Sequence, residues 1–286
     1  MKSTLHEVHV KRFIFILVFM IGFCQKLVCL VFLLFVGCSD YNEYSPNQAS
    51  DHDSSRELNK TNLEKLHSSP IDDTLTIAFI GDSQNFYNEA DPFVKKANLR
   101  KDIDLVLIAG DISDYGLLQE FEWITERLNE LHAPYIGVIG NHDLVANGEE
   151  VYKRMFGPLN FSFIYDSTKF IVHNTNSREY LSAKVPDLDW LAKELAPDEG
   201  VKNFVAVSHV PPFDGDFNAD LESSYSELFH STPGFLLSLH GHIHQHTDGY
   251  PYEDGIRYIT SHSFEQRSFV LLKIISGKVT LQIINY

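Results

Sequence analysis

Past position 38 the sequence contains no cysteine. The three it has are Cys24, Cys29 and Cys38. Over the rest of the chain no disulfide, thiolate zinc site or thiol nucleophile can operate, so catalysis there falls to Asp, Glu, His, Ser or a metal held by oxygen and nitrogen. Basic residues are also scarce, 23 Lys and Arg against 39 Asp and Glu, for a net charge of −16. That balance excludes a protein that grips nucleic acid by neutralising its phosphates. No apolar run of membrane-spanning length follows Gly37, and no repeat of fixed period is evident, which excludes a multi-span membrane protein, a solenoid and a propeller. With 286 residues and 44% hydrophobic content, the chain can still bury a substantial core.

The long apolar run that is present lies at the N-terminus. Phe13 to Gly37 is broken only by Cys24, Gln25 and Lys26. Lys26 followed by Leu27 to Val36 reads as the basic and apolar regions of a signal peptide. Gly37-Cys38-Ser39-Asp40 resembles the lipobox of bacterial lipoproteins, with Phe35 where leucine is usual. The resemblance implies that Cys38 is acylated and becomes the first mature residue, and that the protein is exported and membrane-anchored at the cell envelope, outer-membrane or periplasm-facing. An ordinary signal anchor is the alternative reading. Initiation at Met20 would leave a compact lipoprotein signal.

Residues 38–73 are polar and rich in Ser, Asn and Asp, apart from a weak Leu58–Leu66 pattern, and read as a flexible acidic tether. The first 37 residues hold four bases and one acid, so the remainder carries −19. Sequons at Asn59 and Asn160 have no use in a bacterial lipoprotein.

Residues 74–286 form the expected folded domain. Leu75–Ile80, Leu105–Ala109 and Tyr135–Ile139 are short apolar runs of the kind that form buried parallel strands. Between them, Asp91–Arg100 and Leu117–Leu131 carry apolar residues at helical spacing. Strand and helix alternating implies a parallel core with crossover helices. Phe161–Tyr165 and Phe170–His173 suit a hairpin, and Leu188–Leu195 a helix. Phe204–Ser208, Phe235–Leu239, Tyr258–Thr260, Phe269–Ile274 and Val279–Ile284 read as strands.

Five of these runs end in a polar cluster: GDSQ at 81–84, GDISD at 110–114, GNHD at 140–143, SH at 208–209 and GHIH at 241–244. In open α/β sheets the carboxyl ends of the strands form the functional crevice. Asp oxygens, amide oxygens and imidazole nitrogens without thiolate suit a pair of hard or borderline divalent ions.

This ordered set resembles the calcineurin-like metallophosphoesterase superfamily, with its D-x-H, G-D-x-x-D, G-N-H-D/E, lone His and G-H-x-H pattern. FGPLNFSF at 156–163, DLDWLAKELA at 187–196 and VSHVPPF at 207–213 extend the likeness. The resemblance implies a four-layer αββα sandwich of two mixed β-sheets. It assigns one metal to Asp82, Gln84, Asp111 and His244, and the other to Asp111, Asn141, His209 and His242, with Asp111 bridging.

The same resemblance places His142 beside the leaving group, oriented by Asp114. It implies hydrolysis of a phosphomonoester or phosphodiester by a hydroxide held between the two metals. Such ions also let so acidic a protein accept a phosphorylated small-molecule or envelope substrate. Gln84 departs from the family's histidine. It favours Mn²⁺ or Mg²⁺ over Zn²⁺ or Fe, and it leaves open a catalytically weak surface lipoprotein that binds metal or a phosphorylated ligand.

Asp143 suits a turn cap at least as well as a partner for His142. His262 is a candidate for reaching the crevice, against a loop histidine. His240 and His246 read as structural or exposed, Arg257 and Arg267 as surface cations. Tyr250, Tyr252 and Phe264 suit either the mouth or the core.

Overall fold

Alternation of apolar side chains along each strand splits the body into layers. The computed structural model describes residues 12, 17–22, 25, 45, 47–49, 54–69, 74–180 and 185–286. One sheet holds β1 (Thr74–Ile80), β2 (Leu105–Ile108), β3 (Tyr135–Gly137), β10 (Ser268–Ile275) and β11 (Lys278–Asn285), in the order β11-β10-β1-β2-β3. The other holds β4 (Phe161–Tyr165), β5 (Thr168–Val172), β6 (Asn203–Val207), β7 (Phe235–His240), β8 (Thr247–Gly249) and β9 (Arg257–Thr260), in the order β4-β5-β6-β7-β9-β8. Both sheets are mixed, since β1, β2 and β3 run parallel beside antiparallel β10, and β5, β6, β7 and β9 run parallel between antiparallel β4 and β8.

The period of two decides which face each residue covers. Ile77 and Phe79 of β1, with Leu105 and Leu107 of β2, meet Val205, Val207, Leu237 and Leu239 between the sheets. Ala78, Ile80, Val106 and Ile108 face the other way, onto helices. Those helices are α1 (Leu58–Ser68), α2 (Ala90–Asn98), α3 (Leu118–Leu128) and α4 (Gly148–Met155), which contribute Phe93, Phe121, Ile124, Val151 and Tyr152. Behind the second sheet, Ile171, Phe204 and Ala206 pack on α5 (Leu188–Glu194) and α6 (Ala219–His230) through Leu191, Tyr225 and Phe229. The result is the four-layer αββα sandwich that the family resemblance implies. Each fully buried aromatic contributes roughly 1.5–3 kcal/mol by leaving water.

Loop chemistry ends the helices where the sheet needs them. Glu120 reaches back from the first turn of α3, accepting from the backbone N–H groups of Tyr115 at 2.8 Å and Leu117 at 3.2 Å. Asp187 caps α5 by accepting from the Trp190 N–H at 3.0 Å.

One boundary differs from the sequence expectation. Residues 58–68, assigned by composition to the tether, form α1 and dock against β3. Asn59 accepts from the Gly137 N–H at 2.9 Å and donates to its carbonyl at 3.0 Å, while Asn62 accepts from the Tyr135 N–H at 3.2 Å. Two side-chain amides thus complete the outer edge of β3 as a neighbouring strand would. Leu58 and Leu66 are buried beside them. The weak Leu58–Leu66 pattern is therefore a packed face, and the Asn59 sequon lies in the interior, with Asn59 only 3% exposed.

Contacts divide the chain into Met1–Ser45 and Pro46–Tyr286, so the body begins before Thr74. In the first unit, residues 17–22 are helical. Among the described residues no helix is long and apolar enough to cross a membrane. Leu27–Val36 and Cys38 lie outside the described residues.

Candidate active site

Parallel strands place their carboxyl ends on one edge, and the polar clusters follow from there. Asp82 follows β1, Asp111 follows β2, Asn141 and His142 follow β3, His209 follows β6, and His242 follows β7. All seven metal-ligand candidates and His142 come together at that edge.

The loops are stitched to one another through their backbones. Asp82 donates its N–H to the Gly110 carbonyl at 3.0 Å, and Asp111 accepts at its carbonyl from Ser83 and Gln84. His242 donates its N–H to Asp82 Oδ1 at 2.9 Å, and His142 donates its own to Asp111 Oδ1 at 2.9 Å. Two glycines make this crossing possible. A Cβ on Gly140 would lie 2.1 Å from the Asp111 nitrogen, and one on Gly110, where φ is +86°, 2.5 Å from His209 Nδ1. Asp82, Asp111, His242 and His244 themselves adopt positive φ of 54°, 50°, 70° and 60°. Left-handed backbone at four non-glycine residues stores strain that surrounding structure must hold, a pattern that clusters at functional sites.

Among the described residues three donor sets have ligand atoms within 4.8 Å of one another, one of them Asp214, Asp216 and His242. The two at the strand ends are Asp111, His209 and His242, and Asp82, Asp111 and His244. Asp111 belongs to both, which is the bridging place the resemblance gave it. Asn141 Oδ1 lies 3.0 Å from His209 Nε2 and 3.1 Å from His242 Nδ1. The Gln84 amide approaches His244 Nε2 at 3.4 Å. His209 donates from Nδ1 to the Ala109 carbonyl at 2.6 Å, which leaves Nε2 turned to Asp111 Oδ2 at 3.2 Å.

Cations fit these residues. Asp82 Oδ2 and Gln84 Oε1 are buried oxygens with no hydrogen-bond partner, the kind of orphan a cation satisfies. Burial pushes the Asp82 carboxyl up to about 8, against the pull of His209. Burial also opposes charge on Asp111 and on His209, but their mutual attraction wins: Asp111 stays below the usual carboxylate range and His209 rises to about 9. Carboxylate, amide and imidazole donors without sulfur suit Mg²⁺, Mn²⁺ or Zn²⁺.

The His142–Asp114 pair differs from expectation. His142 Nδ1 donates to the main-chain carbonyl of Asp114 at 3.0 Å. The Asp114 carboxylate instead accepts from the Tyr87 hydroxyl at 2.8 Å, and its other oxygen is buried without a partner. Asp114 orients His142 through its backbone, because Tyr87 has captured its side chain. Tyr87 itself carries no motif in the sequence.

Asp143 is the loop clamp, not a partner of His142. It accepts from the Ser113 N–H at 2.7 Å, the Ser113 hydroxyl at 2.8 Å and the Gly140 N–H at 2.8 Å. His240 is sealed between the hydroxyls of Ser208 and Ser238 at 3.0 and 2.8 Å. His246 donates to the Thr260 carbonyl at 2.9 Å.

His262 lies 5.4 Å ring to ring from His246, its two ring nitrogens buried without partners, on a loop whose Ser263 and Phe264 N–H groups reach the His244 and Asp82 carbonyls. Arg257 is held by Asp248 and Arg267 by Glu89. Tyr250 is exposed, Tyr252 donates to Glu222 at 2.7 Å, and Phe264 is core. Sequence reasoning missed Asp214 and Asp216, which face His242; the DGD run just after VSHVPPF is the only signal that marks them.

A family model described as calcineurin-like phosphoesterase matches residues 75–246. The chain belongs to this family. Its Asp and His groups could hold metal ions, and its match to the curated relatives spans less than two thirds of their length. It is 32% identical over 157 residues to a 3',5'-cyclic-nucleotide phosphodiesterase of Nostoc sp., a match covering 51% of this chain and 58% of that protein's length. The fold of the phosphoesterase is similar to that of a purple acid phosphatase from yellow lupin seeds, at TM-score 0.59 and 14% identity, covering 76% of this chain and 53% of that one. It is also similar to a dimetal phosphatase from Danio rerio, at TM-score 0.55 and 14% identity, covering 74% and 99%.

Proposed function

We propose that the chain hydrolyses a phosphodiester, with a cyclic nucleotide as the first substrate class to test, using two divalent ions of the Mn²⁺ or Mg²⁺ kind. The observation that carries this reading is the pair of overlapping donor sets sharing Asp111, with two orphaned buried oxygens at Asp82 and Gln84. The likeness to the Nostoc phosphodiesterase supports the choice of diester. Two divalent ions, when bound there, supply positive charge for a phosphate ester and the Lewis acidity that activates water at neutral pH.

The protein's own residues do the rest. Asp82, Gln84, Asp111 and His244 would hold one ion, and Asp111, Asn141, His209 and His242 the other. With its Nδ1–H committed to the Asp114 carbonyl, His142 would give a proton to the departing oxygen from Nε2 as the imidazolium, and be left as the neutral imidazole. As the P–O bond to the leaving group breaks, that oxygen takes the proton and a water oxygen replaces it on phosphorus. Asp143 keeps the Ser113 and Gly140 turns in place and with them His142.

The experiment is hydrolysis of bis-p-nitrophenyl phosphate, p-nitrophenyl phosphate and 3',5'-cyclic AMP by protein loaded with Mn²⁺. Diester turnover that disappears in Asp111→Asn supports the reading. Monoester turnover alone shifts the substrate class. Metal binding without turnover of any ester establishes the binding role left open by Gln84.

We further propose that the chain is an envelope lipoprotein anchored through Cys38. The support is the apolar run ending in Gly37-Cys38. Cys38→Ser should release the protein from the membrane fraction and abolish labelling by a fatty-acid analogue; continued labelling would sink the idea.

A further inference from the structure

His242 stands between two groups of acceptors. Its Nδ1 lies 3.1 Å from Asn141 Oδ1, on the side of Asp111 and His209. Its Nε2 lies 3.4 Å from Asp214 Oδ1 and 3.6 Å from Asp216 Oδ2. A neutral imidazole has one lone pair and one N–H, so only one of these sides can receive a cation. With the lone pair turned inward, the proton sits on Nε2 and faces the two carboxylates.

The carboxylates are themselves held. The Asp216 N–H donates to Asp214 Oδ1 at 2.9 Å, closing a tight turn through Gly215. Arg178 pairs with Asp216 from the far side, at the solvent edge. The turn follows His209 on the same loop after β6, so one loop supplies a ligand candidate and the support for another. Asp214 and Asp216 side chains are only 30% and 29% exposed, and His242 is 16% exposed, so the contact is partly shielded from water.

We propose that Asp214 and Asp216 are positioning residues that keep the His242 proton on Nε2 and so present Nδ1 as a metal ligand. The inference rests on the dimetal reading above. It extends the fourth motif from VSHVPPF to VSHVPPFDGD, with the two added carboxylates acting through His242 and not on substrate. A carboxylate behind a ligating histidine fixes its tautomer and ring orientation and raises its basicity, and losing such a partner costs 10- to 100-fold in metal affinity.

The test is a Mn²⁺ binding isotherm on the full chain, with metal content and the electron paramagnetic resonance spectrum of the coupled ion pair as companion readouts. The wild type should bind two ions. In Asp214→Ala/Asp216→Ala one of them should bind roughly 10- to 100-fold more weakly, and the coupled spectrum should give way to that of isolated Mn²⁺. Asp214→Asn/Asp216→Asn keeps oxygen acceptors facing Nε2 and should recover the larger part of the loss.

Two tight ions in the alanine pair would overturn this inference alone. An asparagine pair as weak as the alanine pair would also overturn it, since diffuse negative charge and not orientation would then be responsible. Three ions per wild-type chain would overturn it by making Nε2 a ligand. A wild type that binds no Mn²⁺ would remove the dimetal reading and this inference with it. Should the alanine pair melt early when metal-free, Asp216→Ala alone against Asp216→Asn makes the same comparison.

Discussion

His142 is held by the main-chain carbonyl of Asp114, at 3.0 Å, while the Asp114 carboxylate is turned to Tyr87. A carbonyl cannot titrate or be removed by substitution, so this arrangement makes the orientation of His142 insensitive to the charge of Asp114. Asp114→Asn should keep activity within about tenfold, whereas His142→Ala, which removes the proposed proton donor, should cost about 10²- to 10⁴-fold in kcat. Steady-state kinetics on a diester decides this. A loss in Asp114→Asn equal to that in His142→Ala would mean that the carboxylate acts on the imidazole directly.

Gln84 would be a neutral, weakly donating ligand where the family resemblance has an imidazole. Its Oε1 is buried without a partner, next to His244. Gln84→His should tighten the site shared by Asp82, Asp111 and His244, and shift its preference toward Zn²⁺. Elemental analysis after equilibration with mixed metals measures both effects. Equal occupancy and equal selectivity in the two proteins would count against Gln84 as a ligand.

The amide of Asn59 takes the place of a neighbouring strand at Gly137. Asn59→Ala should leave the Gly137 N–H buried without a partner and remove two hydrogen bonds, although the Gly137 carbonyl keeps the Tyr152 hydroxyl at 2.7 Å. The expected cost is about 2–4 kcal/mol in urea denaturation, since an orphaned buried donor costs more than the bond it lost. A change under about 0.5 kcal/mol would return α1 to the status of a tether, because surface substitutions fall in that range.

His173 gives the fold a pH dependence of definite sign. Burial lowers its pKa from 6.5 to about 4, with the Ile171 carbonyl pulling the other way. Folding therefore favours the neutral ring. Its contribution is complete above pH 6.5 and is lost as pH falls through 4, because the unfolded chain binds the proton first. The full difference is about 3 kcal/mol. His173→Phe should flatten the slope of unfolding free energy against pH between 6.5 and 4; identical slopes in the two proteins would contradict this.

The five clusters at strand ends were legible in the sequence because each obeys a local rule: a short apolar run, a glycine or serine, then a candidate ligand. The four-layer order came from the family resemblance that those clusters carry. What could not be read were the contacts that depend on distant pairings. The role of α1 hangs on two asparagines meeting the edge of a strand more than seventy residues away. Composition shows only polar residues there.

Helices α4 and α6 were also hidden. In α6 the buried face is just Tyr225, Ser226 and Phe229 among Glu, Asp and Ser. Tyr87 meets Asp114 through contacts that no spacing announces, and the Asp214–Asp216 turn is marked only by the DGD run after VSHVPPF.

The proposed phosphodiester hydrolysis depends on two cations held by donor sets that share Asp111. The most direct measurement is titration of metal-free protein with Mn²⁺ while following hydrolysis of bis-p-nitrophenyl phosphate, in the wild type and in Asp111→Asn. Activity should rise with occupancy and saturate at two ions per chain, and Asp111→Asn should bind fewer ions and stay inactive. Full turnover by the metal-free protein, or by Asp111→Asn, would contradict the account.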